Sequence, residues 1–180
     1  MSVAAGEERR TGLAAKTLVV RLLVPTWAEA LPLLRYRPRV AGIGRRPWDL
    51  AGCDAVLLAG FAGACQPQLR PGDIVLAGEV PSSLSQFRGE VRTLDHIASP
   101  REKAALGADG ILAVDMEGAR LAEAASAAGV LFLNVRAIID SVGDSAIALS
   151  SVWHYAAACR GLRRAVAAVL QVWPSGDLAR

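Results

Sequence analysis

The segment Asp54–Ala59, DAVLLA, constrains this chain most. It is continuously apolar after its first residue and is bounded by Gly52 and Gly60. An apolar run this short, with no alternation, reads as a strand buried on both faces, in a sheet covered above and below. Further strands are expected at Thr17–Val24, interrupted by Arg21, at Val40–Ile43, Asp73–Val80 and Ile111–Val114, and at Val130–Ile139 with Arg136 inside it. Helical segments fall between them. Trp27–Leu34 is limited by Pro32. Ser99-Pro100-Arg101-Glu102 is a helix start in which serine caps, proline takes the first turn and glutamate returns a hydrogen bond. Glu117–Ala128 is alanine-rich and closed by Gly129. A long helix capped by Ser150 or Ser151 carries Val152, Tyr155, Cys159, Leu162, Val166, Val169 and Trp173 at three- and four-residue spacing, and Pro174 and Gly176 stop it. Leu69–Gly72 is a turn. Strands alternating with helices define an α/β domain with a largely parallel sheet.

At 180 residues the chain is expected to form one domain over residues 17–180, preceded by a loose tail at 1–16 whose mixed charges leave no apolar signal core. A net charge of +3, with arginine pairs scattered rather than clustered, argues against nucleic acid. No apolar stretch is long enough for a membrane span. Three cysteines, an odd number without metal-ligand spacing, fit a reduced cytoplasmic compartment. His96 and His154 form no zinc pattern, so neither metal nor cofactor is expected.

In an open α/β sheet, ligands bind beyond the carboxyl ends of the strands. Polar residues just after a strand are therefore the candidates: Glu29, the glycine-bearing stretch Gly60–Gly63, Asp115 through Glu117, and Asp140. Ile111–Asp140 reads as a strand–helix–strand unit with parallel strands and a right-handed crossover, which brings Glu117 and Asp140 to one sheet edge. Two carboxyls so placed suit cleavage of a bond between a sugar and its leaving group. One protonates the leaving group, while the other holds sugar hydroxyls near the developing oxocarbenium ion.

These residues carry a resemblance. Val114-Asp115-Met116-Glu117-Gly118-Ala119, Arg136-Ala137-Ile138-Ile139-Asp140, Leu58–Ala64 with the following Pro71-Gly72-Asp73-Ile74-Val75, and Thr93–Ser99 with Glu102-Lys103 occur in the order found in the purine nucleoside phosphorylase and nucleosidase superfamily. The chain resembles that superfamily over roughly residues 17–148, including its methylthioadenosine/adenosylhomocysteine nucleosidase and hopanoid-associated phosphorylase types. The resemblance implies a three-layer α/β/α fold with a central mixed, largely parallel sheet. It implies cleavage of the N-glycosidic bond of a purine nucleoside or modified adenosine, by water or phosphate, in a homo-oligomer of two or more copies. Asp140 would protonate the purine. Met116 would pack on the ribose and Glu117 would accept from its hydroxyls. Ile97 and Ala98 would flank the base, and Gly63 would allow close backbone approach. Glu29 matches the glutamate that activates water, although another register puts Ala30 there.

The chain departs from the pattern at Phe61, where a small or hydroxyl residue is usual, and at Ile139, where a serine often stands beside the aspartate. The segments between Gly44 and Asp54 and between Val80 and Val91 are short. Water is favoured as nucleophile because the arginine that many phosphorylases of the resembled superfamily carry just before this glycine stretch is missing at Gly60–Ala64. Gly44 and Arg45, followed by Arg46, form the loop where phosphate could bind. The alternative is a shortened, non-catalytic member that binds a nucleoside or a partner. Simpler roles stand beside these: a surface helix position for Glu29, a pocket wall or surface position for His96, and a structural ion pair for Arg136.

Overall fold

The computed structural model describes residues 18–43, 48–144 and 151–173. The tail at 1–16, the Gly44 and Arg45 loop, the Ser150 cap and the stop at Pro174 and Gly176 lie outside the described residues. Seven strands form one mixed sheet: β1 Val20–Val24, β2 Arg39–Val40, β3 Ala55–Ala64, β4 Ile74–Gly78, β5 Val91–Thr93, β6 Ala113–Asp115 and β7 Leu131–Asp140. The helices are α1 Trp27–Ala30, α2 Pro100–Ala108, α3 Gly118–Ala127 and α4 Ser151–Val172.

The expectation for DAVLLA holds. Ala55, Leu57 and Ala59 pack with Ala158, Leu162, Val166 and Val169 of α4, while Val56 and Leu58 pack with Leu121 and Ala125 of α3. Period-two alternation thus sends both sets of side chains into apolar layers, and the fold is three-layer α/β/α. The strand does not stop at Ala59, however. It runs through the glycine-bearing stretch to Ala64, because β7 stays paired with it as far as Gly63. The stretch Gly60–Gly63 is sheet, not a loop.

The site is set by how partners change along β3. Ala55–Leu58 pair with β1 on one edge and with β7 on the other. Gly63 pairs with β7 and with Val114 of β6. Each strand has only two edges, so β1 and β6 share one of them and leave a gap level with Gly60 and Phe61.

The strand–helix–strand expectation fails here. β6 and β7 are neither paired nor parallel: they lie on opposite edges of β3, antiparallel and parallel to it respectively. The parallel partner of β6 is β5, not β7. Trp27–Leu34 also differs from expectation: α1 ends at Ala30 and a 3-10 segment, Leu31–Tyr36, follows with Pro32 in its first turn. Ser99 caps α2 as expected, its Oγ accepting from the Glu102 N–H at 3.2 Å. Gly129 ends α3 at φ +67°.

Candidate active site

A cleft of about 420 Å³ opens over the gap in the β3 edge, and Glu29, Phe61, Gly63, Ile97, Ala98, Met116, Glu117 and Asp140 all line it. The residues expected from the sequence are thus brought together, although by a topology that differs from the expected one. Gly44 and Arg45 lie outside the described residues.

Glu29 is not a surface helix residue: it is buried. One carboxylate oxygen, Oε2, accepts from the Thr26 N–H and hydroxyl, both at 2.8 Å, closing a capping box at the start of α1. The other, Oε1, accepts at 2.9 Å from the Phe61 N–H, a donor left unpaired by the gap between β1 and β6. Burial pushes its pKa up, against the opposing pull of Arg136 and these hydrogen bonds.

Arg136 lies opposite Gly60 and is fully buried. Its Nη2 meets Asp115 Oδ2 at 2.7 Å and Glu117 Oε2 at 3.4 Å. Asp115 is fixed in turn by Thr93 Oγ1 at 2.6 Å, Asn134 Nδ2 at 2.9 Å and the Gly118 N–H at 3.1 Å. Burial pushes the Asp115 carboxyl up, but Arg136 and these donors outweigh it and hold the group below its ordinary value. Arg136 Nη1 and Nε have no hydrogen-bond partner. A Cβ on Gly60 would overlap Nη1 and lie 2.6 Å from Glu29 Oε1, so an unpaired donor and a carboxylate oxygen converge over this glycine. Glu117, at the N-cap of α3, has its pKa raised by burial, opposed by Arg136 and reinforced by Asp115 and Glu29.

Asp140 reaches the cleft through an irregularity in β7. Ala62 faces Ile138, yet Gly63 faces Asp140, which leaves Ile139 as the extra residue of a bulge. Asp140 Oδ2 pairs with the Lys103 ammonium. Lys103, from α2, is 1% exposed and also donates to the carbonyls of Ser141 at 2.7 Å and Asp144 at 2.8 Å. Burial raises the Asp140 pKa, and Lys103 opposes it.

The remaining wall is apolar. Phe61 meets Tyr155 of α4 edge to face, with ring centroids 5.6 Å apart. Ile97 is 58% exposed at the rim and Ala98 is buried. His96, which precedes them, holds Asp95 at 2.8 Å and both oxygens of Glu102 of α2 at 3.0 Å, so the Glu102 carboxylate expected to return to the cap reaches the imidazole instead. Lys103 and Arg136 complete the site although the sequence assigns them no role there, and Asp115, a candidate by its place after a strand, proves to be the buried partner of Arg136. The arginine inside an apolar strand was a visible signal of buried ion pairing. Nothing in the spacing around Lys103 shows that it points inward.

The fold agrees with what known proteins share with the chain. The model of the Phosphorylase superfamily matches residues 82–171, half of the sequence, and the chain belongs to that family. Among solved structures, 5′-methylthioadenosine nucleosidase of Arabidopsis thaliana superposes with a TM-score of 0.69 at 16% identity, over 87% of this chain and 96% of that one. The 5′-methylthioadenosine/S-adenosylhomocysteine nucleosidase of Helicobacter pylori gives 0.67 at 17% identity, over 86% and 98%. Futalosine hydrolase of the same organism gives 0.64 at 16% identity, over 86% and 98%. No curated protein matches the chain. Among the described residues, no helix is long and apolar enough to cross a membrane.

Proposed function

We propose that this chain hydrolyses the N-glycosidic bond of a purine nucleoside or modified adenosine. The carrying observation is that Glu29, Glu117 and Asp140 line one cleft with three different sets of partners. Different surroundings give chemically similar carboxyls separate tasks. Asp140, its pKa raised by burial, donates a proton to the departing base. Glu117, anchored to Arg136, accepts from the ribose hydroxyls and offsets positive charge as the oxocarbenium ion forms. Glu29, which lines the same cleft, takes the proton of the attacking water as its oxygen bonds to C1′.

Two observations support water over phosphate. Lys103, which lines the cleft, and Arg136, bonded to the cleft residue Glu117, are each held by carboxylates. Glu29, Asp115, Glu117 and Asp140 also give the site an excess of acidic groups, which disfavours a second anion. Related folds bind such substrates: a Helicobacter pylori nucleosidase has been solved with 5′-methylthioadenosine in its active site.

The test is a panel of purine nucleosides with and without phosphate, read as free base and as ribose against ribose 1-phosphate. Free ribose without added phosphate is expected, and its loss in Asp140→Asn with an unchanged circular dichroism spectrum. Ribose 1-phosphate as the product would overturn the choice of water. Nucleoside binding without any base release would make the chain a binding protein.

A further inference from the structure

We propose that Lys103 is the positioning residue of Asp140: its ammonium orients the carboxyl toward the leaving base and resupplies the proton that Asp140 gives up. This rests on the nucleosidase reading above. The geometry divides the work between the two carboxyl oxygens. Oδ2 is taken by Lys103, while Oδ1 stands 3.0 Å from where a Gly63 Cβ would be, in space the glycine leaves open at the cleft. The stem of Lys103 crosses the same space, its Cδ 3.3 Å from that point. Its head is confined by Asp140 and the carbonyls of Ser141 and Asp144, three acceptors for three ammonium protons. One of those protons points at the carboxyl that must be protonated in each turnover.

The choice of side chain supports this role. Of the chain's 20 basic residues, only Lys16 and Lys103 are lysines. Arginine would form an equally good ion pair, yet it does not release a proton in proteins, whereas lysine can. The step balances without a co-reactant. The bond from C1′ to the base nitrogen breaks and its electron pair stays with the base. The base takes the Asp140 proton, Asp140 takes one from Lys103, and the water oxygen bonds to C1′ as its proton passes to Glu29. Glu29 then releases its proton to solvent, and the Asp140–Lys103 pair regains one from it.

The experiment compares Lys103→Met and Lys103→Arg with the wild type on two substrates. One is the nucleoside the wild type cleaves best. The other is 4-nitrophenyl β-D-riboside, whose leaving group departs without protonation. Both variants are expected to lose about 10²- to 10⁴-fold in kcat on the nucleoside, with KM nearly unchanged and the nitrophenyl riboside still cleaved. The arginine variant keeps a cation in place should the methionine variant fail to fold. Equal losses on both substrates, or full nucleoside activity in Lys103→Arg, would overturn the proposal and leave Lys103 as a structural ion pair. A wild type that cleaves neither substrate defeats the nucleosidase reading itself, which the wild-type arm alone reveals.

Discussion

Gly63 and Asp140 face each other across adjacent parallel strands, and the carboxyl oxygen Oδ1 lies 3.0 Å from where a side chain on the glycine would begin. The bulge at Ile139 creates this relationship, since regular pairing would set Ile139 opposite Gly63. Gly63→Ala would place a Cβ 3.0 Å from Oδ1, 3.3 Å from Lys103 Cδ and 3.3 Å from Val114 Cγ2. The neighbours must shift by a few tenths of an ångström. Because catalysis depends on sub-ångström placement, kcat for base release should fall by about 10²-fold with little change in melting temperature. Unchanged kcat would show that Asp140 is not held by this space.

Arg136 is the electrostatic centre of the site, fully buried and bonded to Asp115 and Glu117. Arg136→Met removes the charge and leaves buried carboxylates without their cation. Urea unfolding should register a loss of about 3–5 kcal/mol, the usual consequence of removing one partner of a buried pair. A loss within ordinary surface-mutation range would mean that these acids are protonated and need no cation.

Stability should fall as pH rises from mildly acidic to neutral. Glu29, Glu117 and Asp140 have folded-state pKa values raised first by burial, so in that window the native state holds more protons than the unfolded chain. Their contribution is complete below the ordinary carboxylate range and is lost as pH climbs through the raised values. Asp115 works in reverse: its lowered pKa adds stability above the ordinary aspartate value of about 3.9, which is lost in stronger acid. Melting curves across this range check both limbs, and Glu117→Gln or Asp140→Asn should flatten the upper one. Rising stability toward neutral pH would contradict the assignment.

Glu29 has a structural duty and a proposed chemical one, and two substitutions separate them. Glu29→Gln is expected to lose about 10²- to 10⁴-fold in kcat, the range of a missing general base. Glu29→Ala should lose as much activity and, with the cap gone, a further 0.5–2 kcal/mol or so of stability. A fully active glutamine variant would leave Glu29 with the capping role alone.

The local patterns were legible where one segment carries its own signal. DAVLLA reads as doubly buried because every residue after Asp54 is apolar, and Ser99-Pro100 reads as a helix start because its bonds are local. The expected pairing of Ile111–Val114 with Val130–Ile139 does not form, since pairing partners are chosen across long sequence separations: both strands pair with β3 instead. Glu29 could be read as exposed or catalytic because a short helix says nothing about what covers it. Phe61 of β3, 32 positions away, supplies the contact that decides the matter.

Residue type and local order are enough for the fold class, the family resemblance and the candidate set, including Glu29, Met116, Glu117 and Asp140. Only the tertiary structure decided how they meet: across the gap where β1 leaves β3 and β6 joins it, with Arg136 beneath and Lys103 behind Asp140. The physical reason is that strand pairing and burial are long-range properties. A buried lysine is the same letter as an exposed one until the chain folds around it.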